Sequence, residues 1–156
     1  MAIFRASAII RSISIALLGA GIAVGAATAA RANVITDWDA KAVAFAAPGA
    51  QGQWELTMVH IAMFDAVNSI EPRYRPYLVR LATPKGTSLE VAAATAAGTV
   101  LAGLPTRRAT AEMKAALPAY FAAIPDGEAK VHGIKLGEAV AANVPEARQN
   151  DSAVCA

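Results

Sequence analysis

Residues 53–77, QWELTMVHIAMFDAVNSIEPRYRPY, decide the fold, because they are one long helical pattern followed by a hard stop. At about 100° per residue, Leu56, Val59, Met63, Ala66, Val67 and Ile70 fall within one arc of roughly 100°, a core-facing stripe. The opposite side carries Glu55, Thr57, Asp65, Asn68 and Ser69, with Met58, Ile61 and Phe64 among or beside them. Apolar residues on both sides imply a helix buried over most of its circumference, near the centre of a helical domain. Pro72 and Pro76 then end it, since each lacks an amide hydrogen and holds the preceding residue in extended conformations.

The composition outward from this stretch is that of a helical protein. The chain is 56% hydrophobic but only 6% aromatic, and the apolar excess is largely alanine, which loses no side-chain entropy in a helix. Alternating Val/Ile/Thr-rich runs bounded by turns, the mark of strands, do not occur. The 156 residues suffice for one domain with a modest core. The fold class is therefore all-α, a helical bundle of about five helices occupying residues 33–151.

Punctuation residues predict the boundaries. Thr36 or Asp37 can cap a short helix over Trp38 to Ala47, which Pro48 and Gly49 terminate. Trp38 offers a large apolar face to the bundle and needs an acceptor for its indole N–H if buried. Residues 49–52 form a loop before the central helix. Thr87-Ser88-Leu89-Glu90 reads as a capping box opening a helix with Leu89, Ala93, Ala96, Val100 and Leu104 on one face and Gly103 and Pro105 at its end. Met113, Leu117, Phe121 and Ile124 continue in helical spacing, where Pro118 predicts a kink or two short helices meeting near Leu117. Asp126 can cap a last helix through Val131, Ile134, Ala141 and Val144, stopped or kinked by Pro145. The tail, residues 152–156, is expected to be unstructured.

Residues 1–32 are set apart. Arg5 and Arg11 precede the uncharged run 12–30, which meets Ala30-Arg31-Ala32. A basic start, an apolar middle and a small-x-small exit describe a secretory signal peptide cut after Ala32, or alternatively after Ala29, and place the mature protein in the periplasm or outside the cell. An uncleaved membrane anchor is the competing reading, and only then is a membrane a partner. Losing Arg5, Arg11 and Arg31 from fourteen basic residues leaves eleven against twelve acidic ones. The mature chain therefore has no electrostatic footprint for nucleic acid. A single cysteine, Cys155, excludes an internal disulfide and leaves only intermolecular pairing.

Few residues offer chemistry. His60 lies about 140° around the central helix from Asp65 and about 80° from Asn68, too far for one ion or one proton relay. A buried histidine hydrogen-bonded to a neighbouring helix is the expectation for His60. His132, among Lys130, Lys135 and Glu128, is expected on a partly exposed surface. A buried Asp65 calls for backbone donors or an arginine, with Arg73 or Arg75 folding back as the partner. Arg73 and Arg75 between prolines are expected at the surface. Nucleophile-elbow, phosphate-loop, dinucleotide, C-x-x-C and H-E-x-x-H motifs are all absent. No catalytic, cofactor-binding or metal residue is assigned.

The run MVHIAMFDAVNSIEPRYRPY at 58–77, preceded by NVITDW at 33–38 and followed by AAIPDGEAK at 122–130 and IKLGEAVAA at 134–142, resembles the N-terminal helical region of secreted bacterial vanadium-dependent haloperoxidase-like proteins, which belong with the type 2 phosphatidic acid phosphatases. The resemblance implies an all-helical bundle and, in complete members, an anion pocket for vanadate or phosphate built from Lys-x6-Arg-Pro, Ser-Gly-His and late Ser-Arg…His segments. None of these segments occurs here: Arg75-Pro76 supplies an Arg-Pro, but Asn68 stands where the lysine would be. The implied reading is a chain truncated before the catalytic motifs, a supporting helical portion without catalytic activity of its own. Its helical bundle is then incomplete, and its implied partner is the missing C-terminal catalytic half. The alternative is a self-sufficient exported helical module that binds a protein partner or oligomerises, for which Met58, Ile61 and Phe64 on the less buried side would supply the contact.

Overall fold

A computed structural model describes residues 29–104 and 110–147. The chain divides after Arg31 into two compact units, and we describe the second, Ala32–Ala156. The signal-peptide and tail readings concern residues almost wholly outside those described. Among the described residues there are five helices and no strand: α1 Ala29–Phe45, α2 Ala50–Ile70, α3 Leu89–Gly103, α4 Thr110–Ala122 and α5 Glu128–Ala147. The all-α expectation holds.

The hub is α3, not α2. Residues 91–98 are buried on every side, and α3 packs against α2, α4 and α5. Its run of alanines, with Thr95 and Gly98, makes a cylinder thin enough for three neighbours to approach. The α5 face that meets it is Gly133, Leu136, Gly137, Val140, Ala141 and Val144, spaced at three and four. Ile134 is only partly buried and Val131 is exposed, so the expected α5 stripe is corrected. Glycines carry no apolar signal, yet they define the seam. A Cβ on Gly133 would lie 2.8 Å from Val91 Cβ, and one on Gly137 2.5 Å from Thr95 Cβ and 2.6 Å from the Ala92 carbonyl.

The first helix starts earlier than expected. Val34, Trp38 and Ala42, four residues apart, form one buried stripe, and burying it carries the helix through Thr36 and Asp37, which are therefore not caps. At its end Gly49 adopts φ 74°, in the left-handed region that side chains disfavour. A Cβ at Gly52 would sit 1.9 Å from the Ala47 carbonyl. These two glycines close the turn into α2, which begins at Ala50, inside the segment expected to be a loop.

Three further expectations are corrected. The α3 cap is Ser88, whose hydroxyl accepts the Val91 amide at 3.3 Å; Thr87 instead donates to the Pro84 carbonyl, and Glu90 is engaged elsewhere. Of the alternatives at the two prolines, two separate helices at Pro118 and a stop at Pro145 do not occur: α4 runs unbroken through Pro118, and α5 continues past Pro145 to Ala147. Asp126 does not cap α5. Its carboxylate pairs with Lys130, whose ammonium also donates to the Phe121 and Ile124 carbonyls at 2.8 and 2.9 Å. Lys130 thus satisfies the C-terminal end of α4, where a cation is favoured by the helix dipole. The same ammonium holds the exposed Asp126 carboxyl below its ordinary range, chiefly through the hydrogen bond.

Candidate functional site

The polar residues of α2 meet three different fates. Asp65 and Asn68 are buried and face the irregular segment that follows the helix. Asp65 accepts the backbone amide of Tyr77 at Oδ1 (2.8 Å) and those of Leu78 and Val79 at Oδ2 (2.8 and 2.9 Å). Asn68 accepts the Arg73 and Tyr74 amides at 3.1 and 3.0 Å and donates to the Tyr74 carbonyl at 2.9 Å. Ser69 accepts the Leu81 amide at 3.1 Å. One helix turn thereby fastens residues 71–81 along itself. The proline-rich stretch cannot form a helix or a ladder, so its amides require side-chain acceptors. Arginine is not the partner of Asp65: Arg73 pairs with Glu71 at 3.0 Å.

Glu55, expected on the polar side, is also buried. It accepts the Ala47 amide at 2.8 Å and the Gln51 side-chain amide at 3.1 Å, closing the α1–α2 turn. Met58 and Ile61 are buried as well, whereas Leu56, Val67 and Ile70 are only partly so. The core-facing arc of α2 is thus wider than the apolar stripe and rotated toward these residues. Neither Met58 nor Ile61 is available to a partner; of the three expected contact residues only Phe64 is exposed.

His60 bonds a neighbouring helix, but at the surface. Its Nε2 lies 2.7 Å from Asp39 Oδ1, with side chains 51% and 45% exposed. Solvent, not burial, is its environment. His60, Asp65 and Asn68 do not converge. His132 is partly buried on α5.

A second polar cluster, missed in the sequence, joins α1, α3 and α4. The Tyr120 hydroxyl donates to Glu90 Oε1 at 2.7 Å. Its ring stands edge-on to Trp38, centroids 6.0 Å apart. Burial first, then the Glu90 hydrogen bond and the negative charges of Glu90 and Asp37, raise the phenol well above its ordinary value. Trp38 is fully buried, and its indole N–H, like that of Trp54, has no hydrogen-bond acceptor among the described residues. The only sequence signal for this cluster was Trp38 itself.

Among the described residues no group of three or more His, Cys, Asp or Glu could hold a metal ion. No described helix is long and apolar enough to cross a membrane. The chain matches no protein-family model, no curated protein and no solved structure.

Proposed function

We propose that the chain is the supporting helical portion of an exported phosphatase/haloperoxidase-like protein, without catalytic activity on its own. The observation that carries this reading is the use made of the 58–77 run. Asp65, Asn68 and Ser69 are committed to backbone amides, so the residues that make the run recognisable are those that fold it onto itself. Binding a multiply charged oxyanion and generating a nucleophile or oxidant takes several converging cations and a histidine. Among the described residues Arg73 meets Glu71, Arg80 meets the Tyr74 carbonyl and Lys130 closes α4, and the one histidine beside a carboxylate, His60, lies on another part of α2. Vanadate or phosphate would belong to the catalytic portion. The site of action, periplasmic or secreted, follows the signal-peptide reading of residues 1–32.

The purified chain is expected to show neither vanadate-dependent bromide oxidation nor phosphate-ester hydrolysis above buffer. Either activity, abolished by His60→Ala, would replace the scaffold with an enzyme. Reading the DNA beyond the Ala156 codon in all three frames tests the parentage separately: no coding segment for Lys-x6-Arg-Pro or Ser-Gly-His would count against it.

A self-sufficient exported interaction module is the second reading, favoured by the exposed Phe64, Tyr74 and Tyr77. Sedimentation of the purified chain separates the two. A stable dimer, or a well-closed monomer that binds no hydrophobic dye, supports the module.

A further inference from the structure

Asp65, Asn68 and Ser69 hold the segment through its backbone amides, and Leu78, Val79 and Leu81 pack against the core, while the side chains of Arg73, Tyr74, Arg75 and Tyr77 stay outside. Tyr74 and Tyr77 are 66% and 59% exposed. Tyr74 lies against the exposed Phe64 of α2, ring centroids 6.2 Å apart. The Arg80 guanidinium reaches the Tyr74 carbonyl, and the neighbouring Arg73 and Arg75 are exposed. Exposed tyrosines on a fastened backbone, interleaved with arginines, are the composition of binding hot spots. A surface already locked into one conformation loses little entropy on binding.

The charge is segregated as well. Residues 71–80 hold Arg73, Arg75 and Arg80 against Glu71, while the rest of the chain after Ala32 has eight basic and eleven acidic residues. A cationic, aromatic strip on an otherwise acidic chain selects an anionic partner. Its exposed rings select one that also carries apolar side chains.

The geometry points to residues 71–80, with Phe64, as a pre-organised docking surface for an acidic polypeptide segment bearing aromatic or aliphatic side chains. This surface acts whether the chain is part of a larger protein or a module of its own.

The test uses the full chain and a fluorescein-labelled random glutamate–tyrosine copolymer, read by anisotropy. Binding is expected, weakening as salt is raised. Tyr74→Ser combined with Arg75→Glu should weaken it at least about tenfold while the chain stays folded with a thermal midpoint only slightly lowered, because the fastening bonds use backbone atoms at position 74 and only the exposed contact with Phe64 is lost. Tyr74→Phe combined with Arg75→Lys should retain most of it. Three results would overturn the proposal. The first is no binding, or equal binding by the Ser/Glu variant. The second is binding to phosphatidylglycerol vesicles that the copolymer fails to displace, which assigns the strip to a membrane surface. The third is a dimer that the Ser/Glu variant dissociates, which assigns it to a second copy. None of these depends on whether the chain shows enzymatic activity.

Discussion

The seam between α3 and α5 and the junction between α2 and residues 71–81 solve opposite problems. At the seam, two helices meet because atoms are missing: Gly133 and Gly137 let α5 rest on the Ser88 and Ala92 carbonyls and the side chains of Val91 and Thr95. At the junction, an irregular chain has amides that no helix can satisfy, and a few polar atoms supply the acceptors. The first region is therefore intolerant of added volume and indifferent to charge. The second is intolerant of a lost carboxylate and tolerant of changed side chains on its outer surface.

The largest effect is expected where the junction loses its acceptor. Asp65→Ala strands three amides, and a stranded buried donor costs about 1–3 kcal/mol. Residues 77–79 are partly solvated, so water recovers some of this, and the net loss should be about 3–5 kcal/mol by urea denaturation. Asp65→Asn, which keeps an acceptor oxygen, should lose less. A cost below about 1 kcal/mol for the alanine variant would mean that the segment is not fastened through Asp65.

At the seam, Gly137→Ala should cost about 1–3 kcal/mol, because the new methyl meets the Ala92 backbone, which cannot rotate away. Gly103 provides the control. A Cβ there meets nothing within 4 Å, so Gly103→Ala should be neutral or slightly stabilising. Equal behaviour of the two variants would open the seam and remove the contrast between the regions.

This contrast explains which features were legible in the sequence. Five helices could be read from spacing and punctuation, because alanine runs, Gly103 and the prolines after Ile70 act locally. The identity of the hub could not. Residues 91–98 are apolar on all sides and have no direction, and Gly133 and Gly137 are silent in any hydrophobic pattern. The polar side of α2 misled for the complementary reason. Asn68 and Glu55 look solvent-facing until the amides of residues 73, 74 and 47 are placed beside them; for Asp65 the need for backbone donors or an arginine was legible, but which amides supply them was not, because those contacts are tertiary. The Glu90–Tyr120 pair spans thirty residues and competes with a local capping box that reads equally well. For the candidate site, rotation alone showed that His60 and Asp65 do not converge, but not that one would be solvated and the other buried.

That pair between α3 and α4 gives a pH-dependent prediction. The Tyr120 phenol is raised by burial and by Glu90, so the folded chain keeps its proton where the unfolded chain begins to release it, near pH 10. Its contribution is fully present below that pH and is lost as pH rises above it. Stability measured across the alkaline range should fall less steeply for Tyr120→Phe than for the parent. Parallel slopes would show that the phenol does not sense its surroundings as the geometry implies.

The smallest effect belongs to the exposed His60–Asp39 contact, and it gives the sharpest comparison with Asp65. Asp39 and Asp65 both take partners within 3 Å, a histidine for one and three amides for the other. If contact distance determined stability, removing either carboxylate would matter comparably. Burial predicts otherwise. Water solvates Asp39 and His60 as readily apart as together, so exposed pairs contribute about 0.2–1 kcal/mol, and salt screens part of that. A double-mutant cycle with Asp39→Asn and His60→Ala should yield a coupling in this range, shrinking as salt is added. A coupling above about 2 kcal/mol would mean that α1 shields the pair more than its surface position implies, and His60 would then belong with Asp65 among the groups that hold the fold.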